Sequence, residues 1–371
     1  MRAVPLGTYR FALPFILLGA CDQAIPTAPI SAPQPRVASV FASSTATLDW
    51  LTSYLATPRS PSEGEPAVLA GAGDIARCYP GTNFRQFQRP GPDHPAAQTA
   101  RLLDGMPGAT VMTMGDNAYE FGSPLDFWGC YHPTWGRHLS RTRPSTGNHE
   151  YLTPGALGYF LYYRQKAAPP LGYYSYDLGN WHIVVLNSTP QVYLCWPPES
   201  DEVPPGFPTL PDPSVLGPEA GRACAGDVAQ QAWLAADLAS HRDTHCTAVY
   251  FHHPRFSSGK HGNHFQMQKM WDVMYANGVD VVLAGHDHLY ERFAPQTPDG
   301  VADDVRGIRQ FTVGTGGAEF YAVSTIQPNS EVIMNDTHGV LALALDAGAY
   351  AWAFVATDGS VRDSGQGSCH D

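Results

Sequence analysis

Short apolar runs that stop at a polar residue recur along the chain. The clearest four, each with the polar residue that follows it, are 66–73 with Asp74, 109–114 with Asp116, 247–251 with His252 and 281–285 with His286. Apolar runs of this length are typical of buried strands. Ligands of open α/β sheets bind outside the carboxyl ends of the strands, so we expect these polar residues to lie close together. Asp and His are also ligands that divalent and trivalent metal ions prefer.

Helices are predicted before the first run and between the later ones, with apolar residues at helical spacing over 94–104 and 227–239. The predicted helices cover residues 47–56, 94–104, 227–239 and 264–276, with Asp227 as an N-cap and Gly105 as a C-cap. Residues 173–178 and 181–186 predict a β-hairpin around a Gly-Asn turn, and residues 309–355 alternate in short strands. The strand–helix–strand order favours a right-handed crossover and a partly parallel sheet. The sequence thus predicts an α/β fold, a four-layer αββα sandwich of two mixed sheets flanked by helices.

Composition and charge narrow the function. Of 371 residues, 43% are hydrophobic, enough for a large core, and 15% are charged. The 34 acidic residues outnumber the 22 basic ones, so a basic face that binds nucleic acid is not expected. A small phosphate ester needs a local positive centre, which bound metal ions would supply.

The amino-terminal segment is interpreted as a lipoprotein-type signal peptide over residues 1–20. Residues 11–20 are apolar but too short to span a bilayer, and Arg2 and Arg10 flank the basic region. The run ends at Cys21 in a sequence that resembles a bacterial lipobox, so we expect export to the periplasm or cell surface with a lipid anchor at Cys21. An ordinary signal peptide cleaved nearby is the alternative. Residues 21–65, rich in Ala, Pro, Ser and Thr, predict a flexible tether before one domain over residues 66–371.

Six cysteines follow Cys21, an even number that favours three disulfides in an exported protein. Sequence alone leaves many pairings open. The first two cysteines follow the two Asp-terminated strands and would brace them, and the next two would close a Pro-rich segment over residues 190–222. We therefore expect the pairs Cys78–Cys130, Cys195–Cys224 and Cys246–Cys369.

Five sequence blocks, in order, resemble those of the calcineurin-like metallophosphoesterases. The blocks are Gly73-Asp74-Ile75-Ala76, Gly115-Asp116 with Tyr119, Gly147-Asn148-His149-Glu150, Val249 to His252, and Gly285-His286-Asp287-His288. The tyrosine three residues after the second Asp resembles the purple acid phosphatase branch. Together the blocks span residues 67–292. One departure is Ala76, which stands where the family usually has Gly and adds one methyl group near the site.

The resemblance implies the same αββα fold and a centre of two metal ions. The ligands it implies are Asp74, Asp116, Tyr119 and His288 for the first metal, and Asp116, Asn148, His252 and His286 for the second. A phenolate is a hard oxygen ligand, so the resemblance favours Fe(III) in the first position, paired with Zn, Mn or Fe(II).

Two histidines are implied to act on the substrate. His149, next to the ligand Asn148, is expected to bind phosphate or to protonate the leaving oxygen. His261 follows His252 by nine positions, as a second histidine does in the mammalian-type acid phosphatases.

Several of these residues also have a structural interpretation. Tyr119 can pack in the core beside Phe121 and Phe127, and His261 can be an ordinary loop residue. Glu150 can orient His149. Three neighbours are expected to support the structure rather than bind metal: His182 as a packed histidine, His253 holding the loop before Pro254, and Asp287 bonded to a neighbour.

The sequence therefore predicts an exported metal-dependent phosphatase that hydrolyses small phosphomonoesters with a metal-activated hydroxide. A phosphodiesterase or nucleotide hydrolase is the alternative within the same superfamily, because the blocks define the metals and not the pocket. A non-catalytic metal-binding surface protein is the second alternative. His149 argues against it, because a purely structural metal site has no use for that residue.

Overall fold

The computed structural model of the protein describes residues 44–78, 90–193, 227–241 and 246–370. The strands in these ranges are β1 Ala67–Ala72, β2 Thr110–Met114, β3 Thr142–Ser145, β4 Tyr174–Leu178, β5 Trp181–Val185, β6 Cys246–Tyr250, β7 Val281–Ala284, β8 Tyr290–Phe293, β9 Arg309–Val313, β10 Ser330–Met334, β11 Gly339–Asp346, β12 Ala349–Ala356 and β13 Val361–Ser368.

The α-helices in the same ranges are α1 Ser44–Ala56, α2 Pro95–Asp104, α3 Pro124–Asp126, α4 Asn148–Tyr151, α5 Leu157–Tyr163, α6 Ser188–Tyr193, α7 Val228–Ser240 and α8 Gln268–Ala276. A π-helical turn covers Phe127–Tyr131, and 3₁₀ turns cover Trp135–Arg141, Pro154–Ala156, Arg164–Ala167 and Phe265–Met267. No helix in the described ranges is long and apolar enough to cross a membrane.

The helix boundaries follow from their capping residues. Helix α2 begins with a proline, and the side chain of His94 accepts a hydrogen bond from the amide of Ala96. Helix α7 begins after Asp227, whose side chain accepts from the amide of Gln230, as predicted. The predicted helix over 264–276 is shorter than expected, because its first turn is the 3₁₀ turn Phe265–Met267.

The strands form two mixed sheets. In the first sheet the order is β13-β12-β11-β1-β2-β3, with β1, β2 and β3 parallel to one another. In the second sheet the order is β10-β8-β9-β7-β6-β5-β4, with β5, β6, β7 and β9 parallel. The predicted β4–β5 hairpin is present.

Two buried cores account for the layers. One core joins apolar residues of both sheets with those of α1 and α2, for example Leu69 and Leu283 with Leu103. The other lies between the second sheet and helices α7 and α8, where Leu234 and Trp271 are buried. Helices thus cover the outside of each sheet, and the predicted αββα sandwich is confirmed.

Helix α1 corrects the predicted extent of the tether. Leu51 and Tyr54 are fully buried in the core of the first sheet, and the hydroxyl of Tyr54 donates to the carbonyl of Pro107 at 3.0 Å. Residues 44–56 therefore belong to the folded part of the chain, which starts earlier than residue 66. The apolar positions of this helix are spaced so that one face is buried. The burial of that face favours a packed helix even though the surrounding sequence is rich in Ala, Ser and Thr.

Two of the three expected disulfides are present. Cys78 is bonded to Cys130, and Cys246 to Cys369. The first bond joins the loop after β1 to the π-helical turn, and the second joins β6 to the end of the chain. The expected Cys195–Cys224 pair lies outside the described residues.

The carboxyl ends of β1, β2, β6 and β7 meet at one edge where the two sheets face each other. The amide of Gly285 after β7 donates to the carbonyl of His252 after β6 at 2.9 Å. Across the sheets, a ring nitrogen of His252 donates to the carbonyl of Met114 in β2 at 2.8 Å. The loops that carry the predicted site residues therefore converge.

Candidate metal centre

Three site residues lie at the same place relative to their strands. Asp74, Asp116 and His286 are each the second residue past a strand end, and their φ angles are 58°, 46° and 71°. Residues other than Gly rarely adopt this left-handed region, and such strained backbone is concentrated at functional sites. A Cβ atom at Gly115 would lie 2.5 Å from Nδ1 of His252, so only Gly lets β2 end this close to that ring.

Asp74, Tyr119 and His288 form the first set of side chains. The hydroxyl of Tyr119 donates to Oδ1 of Asp74 at 2.8 Å and lies 3.0 Å from Nε2 of His288. Nδ1 of His288 donates its proton to the carbonyl of Glu319 at 2.6 Å, which leaves the lone pair on Nε2. The buried Tyr119 therefore directs its oxygen at the site and is more than a core aromatic.

Asn148, His252 and His286 form the second set. Nε2 of His252 lies 2.9 Å from Oδ1 of Asn148 and 3.2 Å from Nδ1 of His286. Nδ1 of His286 is itself 3.1 Å from the same amide oxygen. Three potential ligand atoms therefore face a common point.

Asp116 lies between the two sets. Its Oδ2 is 3.3 Å from Nε2 of His252. One ligand atom from each of Asp74, Asp116 and His252 lies within 4.8 Å of the other two. A single carboxylate thus borders both groups of side chains.

The chemistry of these atoms fits metal ions. Nδ1 of His252 donates to the carbonyl of Met114, so Nε2 is the nitrogen that faces the oxygens of Asn148 and Asp116. Buried ligand atoms this close to one another require a proton or a metal ion among them. Carboxylate, amide oxygen, phenol and imidazole together suit a hard or borderline ion.

The pKa shifts of two site residues show that the carboxylates make the electrostatic potential of the site negative. Burial lowers the pKa of His252, but the charge of Asp116 outweighs it and raises the pKa to about 9. Burial, with Asp116 and Asp74 nearby, holds the pKa of Tyr119 well above its usual value. The phenol can become an anionic ligand only where a cation supplies the missing stabilisation.

Glu150 holds the loop that carries Asp116. Its carboxylate accepts hydrogen bonds from the amides of Gly147 at 2.7 Å, Asp116 at 3.0 Å and Asn117 at 2.7 Å. The hypothesis that Glu150 orients the ring of His149 therefore gives way to a role in fixing the backbone. Burial raises the pKa of Glu150 to about 7, with the charge of Asp116 adding to the effect.

His149 lies beside the site with a fixed orientation. Its Nδ1 donates to the carbonyl of Glu120 at 2.6 Å, and its amide donates to Oδ1 of Asp116 at 2.9 Å. Nε2 is then the nitrogen that faces the site, 3.9 Å from Oδ2 of Asp116. The side chain is 19% exposed, so a substrate can reach it.

His261 also lies at the site. Its ring stacks on that of His286, with centroids 4.3 Å apart, and its Nδ1 lies 3.0 Å from Oδ1 of Asp287. Asp287 additionally accepts from the hydroxyl of Ser257, so it bonds its neighbours as expected. His253 supports the structure, with Nδ1 2.8 Å from the hydroxyl of Ser188.

Sequence reasoning missed three residues around the centre. The ring of Tyr321 stacks on that of His288, with centroids 3.8 Å apart, and the ring of His264 packs 4.9 Å from that of His286. Arg77 forms ion pairs with Glu120 and Glu319. The only sequence signal was for Arg77, which directly follows the Asp74 block.

Comparison with known proteins identifies the family. Residues 96–290, just over half of the chain, match the calcineurin-like phosphoesterase family, and the chain belongs to that family. The resemblance inferred from the five blocks is confirmed.

Two plant purple acid phosphatases are similar to the chain in sequence. The chain is 37% identical to purple acid phosphatase 18 of Arabidopsis thaliana over 93 residues, which are 24% of this chain and 21% of that protein. It is 28% identical to purple acid phosphatase 21 of the same plant over 217 residues, 52% of this chain and 42% of that protein. The matches therefore span less than half of each relative.

A solved structure shares the fold. The purple acid phosphatase from seeds of yellow lupin, Lupinus luteus, superposes with a TM-score of 0.55 at 19% identity, over 84% of this chain and 55% of that one. At this identity the likeness concerns the fold alone.

Proposed function

We propose that the protein is a metal-dependent phosphatase that hydrolyses small phosphomonoesters at a centre of two metal ions. The observation that carries the proposal is the position of Asp116 between the two sets of ligand atoms, with Nε2 of His149 beside it. Membership of the calcineurin-like phosphoesterase family supports it.

The chain would hold the ions through seven side chains. These are Asp74, Tyr119 and His288 for the first ion, Asn148, His252 and His286 for the second, and Asp116 for both. When bound, the metal ions would neutralise charge on the phosphoryl oxygens and lower the pKa of a water molecule.

His149 would move the proton. Since its Nδ1 proton is held by the carbonyl of Glu120, its Nε2 is the nitrogen that can give a proton to the leaving oxygen. His261, stacked on His286, would hold the phosphoryl group through the ring nitrogen not bonded to Asp287.

The test compares two substrates with and without a chelator. Purified protein should hydrolyse p-nitrophenyl phosphate faster than bis-p-nitrophenyl phosphate, and removal of metal should abolish turnover that added metal restores. Faster hydrolysis of the diester would make the protein a phosphodiesterase. Bound metal without turnover of either ester would favour a non-catalytic metal-binding protein.

We further propose Fe(III) in the first position, paired with Zn, Mn or Fe(II). The support is the phenol of Tyr119, a hard ligand directed at Asp74 and His288. In the same purified sample, oxidised protein should show a visible charge-transfer band. A colourless protein with zinc or manganese in both positions would contradict the iron assignment alone.

We also propose that the protein is exported to the periplasm or cell surface with a lipid on Cys21. The two disulfides support an oxidising compartment. Mass spectrometry of membrane fractions should find a lipidated Cys21 as the first residue. A soluble wild-type protein with unmodified Cys21 would refute the anchor.

A further inference from the structure

Arg77 lies between two loops of the candidate metal centre and binds both. It is the third residue after Asp74, and its guanidinium forms ion pairs with Glu120, at 2.7 Å, and with Glu319. The two acidic residues belong to the loops that follow β2 and β9. One side chain, 26% exposed, thus connects loops from both sheets.

The backbone of Arg77 is itself held on two sides. Nε2 of His94, at the start of α2, donates to the carbonyl of Arg77 at 2.9 Å. The next residue, Cys78, is joined by its disulfide to Cys130. The guanidinium also lies over the ring of Tyr119, 5.5 Å from the centroid. The backbone of Arg77 is therefore fixed, and its side chain has few alternative conformations.

The two acidic residues that Arg77 binds each orient a histidine of the centre. The carbonyl of Glu120 accepts the Nδ1 proton of His149 at 2.6 Å, and the carbonyl of Glu319 accepts the Nδ1 proton of His288 at 2.6 Å. These two bonds direct Nε2 of both histidines into the site. A carbonyl does this only if its own loop is held in place.

Arg77 also keeps a competing acceptor away from His149. Oε1 of Glu120 lies only 3.7 Å from Nδ1 of His149. With Oε2 bound to Arg77, the carboxylate stays with the guanidinium, and the Nδ1 proton stays on the carbonyl. A carboxylate released from Arg77 could take that proton and turn the ring.

We propose that Arg77 is a positioning residue that fixes, through Glu120 and Glu319, the orientation of the proton-donating His149 and of the metal-binding His288. The inference rests on the proposed function. Arg77 acts through the two loops and does not contact the phosphoryl group, because both terminal nitrogens of its guanidinium are paired with carboxylates.

The main variant is Arg77→Gln, which removes both ion pairs and keeps a polar side chain. It should lower kcat by about 10- to 100-fold and leave KM within about threefold. Losses of this size are typical when a residue that orients a metal-binding histidine is replaced. Loss of the first metal to a chelator should be about 10-fold faster than in wild type, a readout independent of turnover. Arg137→Gln is the matched control, since it breaks a surface ion pair with Asp104 and should change neither quantity.

Two glutamine variants test the same contacts in case Arg77→Gln does not fold. Glu120→Gln and Glu319→Gln keep the backbone carbonyls and remove only the charges that bind Arg77. Each should lower kcat less than Arg77→Gln does, and combining Glu319→Gln with Arg77→Gln should lower it no further. Arg77→Lys should recover part of the activity, because an ammonium can hold one of the two carboxylates.

Three results would overturn the inference. Wild-type kcat and metal retention in Arg77→Gln would remove any positioning role, and multiplicative losses in the double variant would show that the residues act separately. A rise in KM with unchanged kcat would make Arg77 a contact to the phosphate. An inactive wild-type protein would instead refute the proposed function, and faster metal loss in Arg77→Gln would still report on the positioning.

Discussion

Two clusters of histidines and carboxylates in this domain have similar composition but differ in how their histidine rings are bonded. One is the candidate metal centre around His252. The other, which we call the His182 cluster, consists of Asp177, His182, Asp237 and His241 at the β4–β5 hairpin and helix α7. Asp177, His182 and His241 offer ligand-type atoms within 4.8 Å of one another, and so do Asp74, Asp116 and His252. Proximity alone therefore does not separate them.

The number of partners around each ring nitrogen separates them. In the His182 cluster, Nδ1 of His182 donates to Asp177 at 2.9 Å and Nε2 donates to Asp237 at 2.8 Å, so both ring nitrogens are satisfied by carboxylates. Burial lowers the pKa of His182, but these bonds outweigh it and leave the pKa raised. Nε2 of His252 instead faces three ligand atoms together, Oδ1 of Asn148 at 2.9 Å, Nδ1 of His286 at 3.2 Å and Oδ2 of Asp116 at 3.3 Å. Several ligand atoms that converge on one point suit a metal ion, whereas one carboxylate for each ring nitrogen suits an ion pair.

The largest effect should come from removing Asp116, the carboxylate proposed to be shared by the two metal ions. Asp116→Ala should lose both metals and reduce kcat/KM by more than about 10⁴-fold, because metal ions contribute several kcal/mol to transition-state stabilisation. The measurements are metal content by mass spectrometry and hydrolysis of p-nitrophenyl phosphate.

Asp237→Ala is the matched control in the His182 cluster. It removes an equally well-bonded carboxylate and should destabilise helix α7 while leaving metal content and kcat/KM within about twofold of wild type. Loss of metal in this variant would show that the two clusters are not chemically distinct.

A smaller effect is expected at His149, which borders the candidate metal centre and is not one of the proposed ligands. His149→Ala should retain both metals and lower kcat by about 10²- to 10⁴-fold, the usual range for a lost general acid. Metal analysis of the same sample decides the role. Metal loss as complete as in Asp116→Ala would make His149 a ligand instead.

The smallest effect should be a pH-dependent change of stability at His182. Its folded-state pKa is raised, so its stabilisation is fully present below the unfolded-state pKa and is lost as the pH rises through the folded-state value. His182→Gln should therefore cost about 1–3 kcal/mol of unfolding free energy at pH 5, and less at pH 9.

Urea unfolding of His182→Gln and wild type at both pH values measures this difference. The stacked ring of His241, whose centroid lies 3.7 Å from that of His182, and the hydroxyl of Ser175, which donates to Asp237, are present in both proteins. A cost that grows toward alkaline pH would contradict the imidazolium assignment.

The sequence predicted the fold and the converging side chains because both depend on local patterns. Apolar runs located the strands, and the polar residue after each run located Asp74, Asp116, His252 and His286. Parallel strands bring such positions to one edge, so their meeting required no knowledge of side-chain geometry.

The residues that hold the site in place depend on contacts that no local pattern contains. Arg77 meets Glu319 across 242 positions, and His182 meets Asp237 across 55. Glu150 acts on backbone amides, which every residue type presents alike, so its partners could not be identified from residue types. The tether was predicted to extend to residue 65 because its boundary was taken from composition. The spacing of the apolar residues in α1 indicates a shorter tether.

The bond from the amide of His286 to Oδ2 of Asp74 joins two residues 212 positions apart. A contact of such separation is costly to form, because it closes a long loop of the chain and the entropy of that loop is lost. Asp74 follows a strand of the first sheet and His286 a strand of the second, so neither sheet alone contains the candidate metal centre. Metal bound there would therefore stabilise only the docked pair of sheets, and the free metal concentration would shift the folding equilibrium of the whole domain by mass action.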